Sequence, residues 1–174
     1  LPHPDLGGRL FDLQGNYRYQ FGKFGNGPGE FSRPQSILIH KDLVYLTDAG
    51  NHRLCVFKTD GTFLKTLGQA GSGLGEFRYP YGLDQDANGN LIVCEFGNNR
   101  IQLIDKQTGR GLKTWGSGGH DPGQLAYPWG VAVDRHEKVV AVDQFSNFPA
   151  EAKAKAPAAE AAPVASTCIS IKAG

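Results

Sequence analysis

The sequence predicts an all-β protein built from repeated four-stranded antiparallel sheets, on three observations. Glycine and proline are abundant, 24 and 10 of 174 residues, and they are spread along the chain as many tight turns require. Apolar residues alternate with polar ones in short runs, the pattern of a half-buried strand. Three separate landmarks recur with a spacing of 46 to 48 residues. Self-similarity at one period is the mark of a repeat architecture.

The first landmark is a glycine-rich loop, a Gly-Glu-Phe or Gly-Gln-Leu element, two residues and a proline, at residues 22–34, 68–80 and 116–128. The second runs Asp48-Ala49-Gly50-Asn51-His52-Arg53 and Glu95-Phe96-Gly97-Asn98-Asn99-Arg100. Its third copy, 143–148, is damaged: Phe148 stands where an arginine is expected, and Pro149 follows. The third is the turn Gln14-Gly15, Asp60-Gly61 and Thr108-Gly109.

Strands fall between these landmarks in order. Residues 9–22 read as a third and a fourth strand. A full set follows at 36–40, 43–47, 53–57 and 62–67, and another at 82–85, 91–94, 100–104 and 112–115. A first and a second strand come last, at 130–134 and 139–142. Four antiparallel strands in a repeat of about 40–50 residues make a β-propeller blade. The chain therefore holds about three blades' worth, as a half, two full blades and a half, with no room for helices.

The wording of the repeat resembles the NHL family of six-bladed propellers. Phe77 with Pro80-Tyr81-Gly82, the run Asn99-Arg100-Ile101-Gln102-Leu103-Ile104, and Pro128-Trp129-Gly130-Val131-Ala132-Val133-Asp134 carry the resemblance, which covers roughly residues 9–147. It implies an NHL-type propeller segment over residues 1–148. Residues 149–166 differ in kind, being rich in Ala, Pro, Lys and Glu without a core pattern, as in an extended, disordered-type linker. Residues 167–174 alternate again and are suited to adding as a short edge strand.

Propellers close with about 4–8 blades, because closure removes exposed sheet edges. Two readings of the open segment stand. One is an excerpt of a longer propeller, favoured by a chain that contains no methionine. The other is a pair of copies forming a six-bladed ring, the N-terminal strands of one completing the C-terminal strands of the other.

Composition narrows the function classes. A net charge of +1 from 18 basic and 17 acidic residues creates no global field for nucleic acid or an anionic membrane. No run approaches the roughly 18 apolar residues of a membrane helix. Cys55, Cys94 and Cys168 follow no framework spacing, and the first two sit in predicted strands as buried free thiols. The five histidines have no partner at ligand spacing.

In a propeller, the fourth-to-first-strand and second-to-third-strand loops emerge on one face. Gln35, Tyr81 and Trp129 follow the prolines and are expected to ring the channel mouth, while Arg33, Tyr79 and Tyr127 precede them. Phe96 and Phe145 occupy the other loop set, which His52 and Asn99 close. Exposed Tyr, Trp and Arg are favoured binding anchors. The competing reading for these aromatics is packing between adjacent blades. Asp48 with Asn51 and Arg53, and Glu95 with Asn98 and Arg100, are expected to serve turns and blade contacts. Asp84, Asp86 and Asp134 are expected to cap turns.

The leading expectation is a non-enzymatic binding or scaffold module whose glycine-loop face holds a protein or peptide. The resemblance also allows a propeller enzyme of the metal-dependent lactonase or lyase type. For that, Ca²⁺ or Zn²⁺ in the channel is the discriminating feature, although no cofactor is expected. A third reading is single-stranded RNA binding through Arg33, Arg53, Arg78 and Arg100 with Tyr79, Tyr81 and Trp129; near-zero net charge opposes it. Bacterial proteins with repeats of this style imply an exported or periplasmic location.

Overall fold

The computed structural model describes residues 7–144. The linker at 149–166, the segment 167–174, Phe145 and Cys168 lie outside the described residues. Within them the protein is a row of antiparallel sheets. The first is a hairpin of β1 (Gly8–Phe11) and β2 (Tyr17–Phe21). A loop follows whose ends pair in parallel as β3 (Lys23–Phe24) and β4 (Glu30–Phe31). The first four-stranded sheet comprises β5 (Pro34–His40), β6 (Leu43–Asp48), β7 (Arg53–Lys58) and β8 (Phe63–Leu67), paired in sequence order. A second parallel pair, β9 (Gln69–Ala70) and β10 (Glu76–Phe77), leads into the second four-stranded sheet. That sheet is β11 (Pro80–Gln85), β12 (Leu91–Glu95), β13 (Arg100–Ile104) and β14 (Gly111–Trp115). The hairpin β15 (Pro128–Val133) and β16 (Val139–Asp143) ends the row.

The order matches the sequence reading strand for strand, with three differences. First strands begin two residues earlier, on Pro34, Pro80 and Pro128. A proline is tolerated as the first residue of a strand because no ladder donor is lost there. Each of these strands shifts register just past its proline, a bulge that re-aims Gln35, Tyr81 and Trp129. The parallel pairs inside the glycine loops were not expected. Neither was the 3₁₀ turn at Ala49–Asn51, where the sequence reading left no room for helical structure.

The glycine loops explain their own consensus. Glu30 Oε2 accepts from Gly27 N–H at 2.9 Å and Glu76 Oε2 from Gly73 N–H at 2.8 Å. In the third copy Gln124 Oε1 accepts from Asp121 N–H at 2.9 Å. The loop needs only an acceptor oxygen, which is why Glu and Gln interchange. Gly68, at φ +79°, leaves no space for a Cβ, which would stand 2.2 Å from the ring of Phe77.

The core lies in the seams between sheets. Phe31, Val44, Leu46, Cys55 and Phe57 fill the first seam. The seam between the two complete sheets holds Tyr45, Leu54, Val56, Phe77, Leu83 and Val93 among others. Ala49, Tyr81, Ile92, Cys94 and Ile101 form the third against β15 and β16. Strand β11 packs against β5 on one side and β15 on the other, so the first strands are the inner ones. Cys55 and Cys94 are buried free thiols, and burial pushes both up to about 11.

Candidate functional site

The glycine-loop face is held by a repeated carboxylate at the end of each second strand, fully buried in the first two copies and half-buried in the third. Asp48 is fully buried and accepts from Ser32 N–H at 2.8 Å, Asn51 Nδ2 at 2.7 Å and Arg53 Nε at 3.2 Å. Arg53 turns its remaining donors to the carbonyls of Gly27 and Glu30. Glu95 repeats the set with Arg78 N–H, Asn98 Nδ2, Arg100 Nε and the side chain of Gln102. Arg100 donates to the carbonyls of Ser72, Gly73 and Glu76. Asp143 accepts from Ala126 N–H at 2.8 Å. These carboxylates are committed to backbone donors and arginine, which fixes the two loop sets as one surface.

His52 and Asn99 take left-handed backbone positions, φ 56° and 51°, where His and Asn are enriched. Each then bridges to the next sheet. Tyr79 N–H donates to His52 Nδ1 at 3.0 Å, and Tyr127 N–H to Asn99 Oδ1 at 2.8 Å. Their partners Tyr79 and Tyr127 are themselves left-handed, at φ 51° and 56°. The sequence reading placed all four on the binding face without foreseeing this bridge. The signal was present, since His52 and Asn99 stand 47 residues apart.

The aromatic residues are brought together rather than scattered. Tyr81 stacks on Phe96 with centroids 4.8 Å apart, and Phe96 lies 5.0 Å from Tyr127. The Arg33 guanidinium sits 5.5 Å over the Tyr81 ring, a cation–π contact. His52 and Tyr79 meet edge-on at 4.5 Å. This gives a ladder Arg33–Tyr81–Phe96–Tyr127 running across two seams. Tyr81 is only 8 % exposed and supports the ladder from below, whereas Tyr127 and Trp129 are 44 % and 55 % exposed. Gln35 is exposed at the equivalent of Tyr81 but joins no ring among the described residues. A cleft of about 310 Å³ opens beside Tyr127, lined by Asn99, His120 and Leu125.

Gln102 went unnoticed in the sequence. It is fully buried, accepts from Gly75 N–H at 2.6 Å and donates to Glu76 O and Glu95 Oε1. One polar residue within Ile101-Gln102-Leu103-Ile104 was the available clue. On the opposite face Asp86 and Asp134 cap their turns, while Asp84 Oδ2 accepts from Val133 N–H at 2.7 Å across a seam. Among the described residues no three His, Cys, Asp or Glu side chains are grouped to hold a metal, and no helix is long and apolar enough to cross a membrane.

A family model described as a 6-bladed β-propeller matches residues 32–105. The RING finger protein nhl-1 of Caenorhabditis elegans is 38% identical over 71 residues, covering 40% of this chain and 7% of that protein. The human E3 ubiquitin-protein ligase NHLRC1 is 27% identical over 98 residues, covering 56% of this chain and 23% of that protein. Among solved structures, an auxiliary nutrient binding protein from Bacteroides thetaiotaomicron superposes with a TM-score of 0.57 at 14% identity, over 78% of this chain and 40% of its own. Virginiamycin B lyase from Staphylococcus aureus, solved with quinupristin, gives 0.52 at 15% identity, over 83% of this chain and 49% of its own. The chain spans about a quarter or less of the curated relatives it matches. At these identities the two structures show the shared fold alone.

Proposed function

Since the chain is a partial NHL-type β-propeller, we propose that it is a binding module whose glycine-loop face grips a protein or peptide. The ladder Arg33–Tyr81–Phe96–Tyr127, with Tyr79 and Trp129 exposed beside it, is the observation that supports this most directly. Rigid aromatic side chains lose little conformational freedom on binding and supply large contact areas. Here the backbones of Tyr79 and Tyr127 are pinned by His52 and Asn99, so that part of the surface is preorganised. The cleft beside Tyr127 suits one apolar side chain of a partner.

The carboxylates at the strand ends, Asp48, Glu95 and Asp143, and Glu30 and Glu76 in the loops themselves, are engaged by backbone or arginine donors, which favours adhesion over chemistry. Arg53 and Arg100 are spent on loop carbonyls, and Arg33 and Arg78 remain exposed there. That is a thin cationic surface for a phosphate backbone, compared with the groove that single-stranded nucleic acid needs.

The test is a peptide selected from a random display library on the full chain, titrated by fluorescence anisotropy. Tyr127→Ala and Trp129→Ala are each expected to weaken binding about tenfold or more, equivalent to about 1.4 kcal/mol. Lys113→Ala, on the outer strand β14, is expected to leave it unchanged. A peptide indifferent to both aromatic substitutions would place the binding surface elsewhere.

A further inference from the structure

The face opposite the glycine loops carries a cleft that the proposed peptide surface does not use. It lies where the two complete sheets meet, occupies about 540 Å³, and falls in the size range of small-molecule sites. Strand register builds its floor. Leu38, Tyr45, Val56 and Lys65 pair successively across β5, β6, β7 and β8, so they form one row across the first complete sheet. Tyr45, Val56 and Lys65 line the cleft, and Leu43 and Leu64 extend the apolar surface beside them. Lys65 Nζ donates to the carbonyl of Gln107 at 2.5 Å, which closes the cleft against the second sheet. Two of its three N–H donors remain.

Two independent observations point to a ligand. The first is charge: Lys41, Lys65 and Lys106 line the cleft, with His40 beside them, and Asp42 is the one carboxylate in the lining. The second is Tyr45. It is 2 % exposed, its side chain lines the cleft, and its hydroxyl makes no hydrogen bond to a described residue. Its oxygen is not sealed in the interior but meets the cleft, where the hydroxyl can donate to an acceptor on a bound molecule. Burial also holds the Tyr45 hydroxyl above its ordinary range, which keeps it a donor.

We propose that this cleft binds a small organic anion with an apolar body, its acid group held by Lys41, Lys65, Lys106 and the Tyr45 hydroxyl. The body lies on Leu43 and Leu64. This reading is independent of the peptide surface, since the two occupy opposite ends of the strands.

Isothermal titration of the full chain tests it with four probes: 2-naphthoate, 2-naphthyl phosphate, the neutral 2-naphthamide, and inorganic phosphate. One of the two naphthyl anions is expected to bind saturably at one site, and the better of them identifies the acid group. The amide and inorganic phosphate are each expected to bind at least about tenfold more weakly, having lost the charge or the body. Tyr45→Phe removes one hydrogen bond and is expected to weaken the better anion about two- to tenfold, with thermal stability unchanged or raised because no protein partner is lost. Lys65→Met with Lys106→Met is expected to weaken it more than about tenfold. Binding of the amide as tight as that of the anions, or anion binding untouched by both the tyrosine and the lysine variants, would overturn the proposal.

Discussion

The seam between the two complete sheets and the strand faces left uncovered elsewhere are made of the same material and end differently. Within the seam, Leu54, Val56, Phe77, Leu91, Val93 and Ile104 are fully buried. Where cover is missing, Ile37 and Ile39 of β5, on the side of the two-stranded first hairpin, are 56 % and 59 % exposed, and Val140 and Val142 of β16 are 61 % and 52 % exposed. Both sets arise from the same apolar alternation along short strands. A propeller sheet stands between two neighbours, so both of its faces are apolar. Alternation identifies the strand, and burial depends on whether a neighbouring sheet is present.

The largest effect separating the two regions is expected at Phe77. It wedges against Gly68 at the seam, and Phe77→Ala leaves a cavity that nearby strands cannot fill. A loss of about 3–5 kcal/mol in a urea titration is expected. A loss below about 1 kcal/mol would mean that the seam repacks and is no more rigid than the uncovered faces.

Next in size is the buried carboxylate. Glu95→Ala strips partners from Arg100, Asn98, Gln102 and the Arg78 amide together, for an expected loss of about 3 kcal/mol or more. Asp143→Ala, at the equivalent position of the terminal hairpin, loses one bond to Ala126 N–H and is expected to cost about 1 kcal/mol. Equal losses at the two sites would show that Asp143 has a fuller set of partners in solution than the described residues supply.

Substitutions on the uncovered faces are expected to cost least among the apolar positions. Ile37→Thr and Val140→Thr should each change stability by no more than about 0.5 kcal/mol, as exposed positions do. A loss above about 1.5 kcal/mol would mean that another sheet covers these faces in solution, and the comparison would then dissolve.

The order and pairing of strands were legible in the sequence because turns, loops and alternation repeat together; three copies corrected one another. The glycine-loop face was legible as a set of loops, and Phe96 and Tyr127 of two neighbouring repeats meet there. What could not be read was depth. Tyr81 and Trp129 occupy the same repeat position, yet one is covered and the other open, because Phe96 and Arg33 close over Tyr81. The bridges from His52 and Asn99 depend on a left-handed turn meeting a backbone donor in the next repeat, 27 and 28 residues away. The lysine cleft was equally hidden, since Lys41, Lys65 and Lys106 come from three turns and strands that only the sheet register brings together.

The smallest effect tests the loop consensus itself. Glu30 and Glu76 have carboxyls held below the ordinary glutamate value of 4.5, first by the backbone N–H of Gly27 and of Gly73. A depressed folded value means that each carboxylate's contribution is fully present above the ordinary value. That contribution is lost as pH falls through the lowered one. Acidification below about pH 5 therefore weakens the loops. Gln124 performs the same task in the third loop with an oxygen that does not titrate in this range. Glu76→Gln should accordingly keep Gly73 bonded, leave stability near neutrality almost unchanged, and make the fall in stability between pH 6 and pH 3 shallower. Glu30→Gln should do the same at the first loop. The slope will not vanish, because Asp12, Asp60, Asp105 and Asp134 are also held below their ordinary value by turn hydrogen bonds. Denaturation curves of wild type and Glu76→Gln that run parallel across that pH window would show that the loop oxygen acts without linkage to protons, and that Glu and Gln interchange here for some reason other than hydrogen bonding.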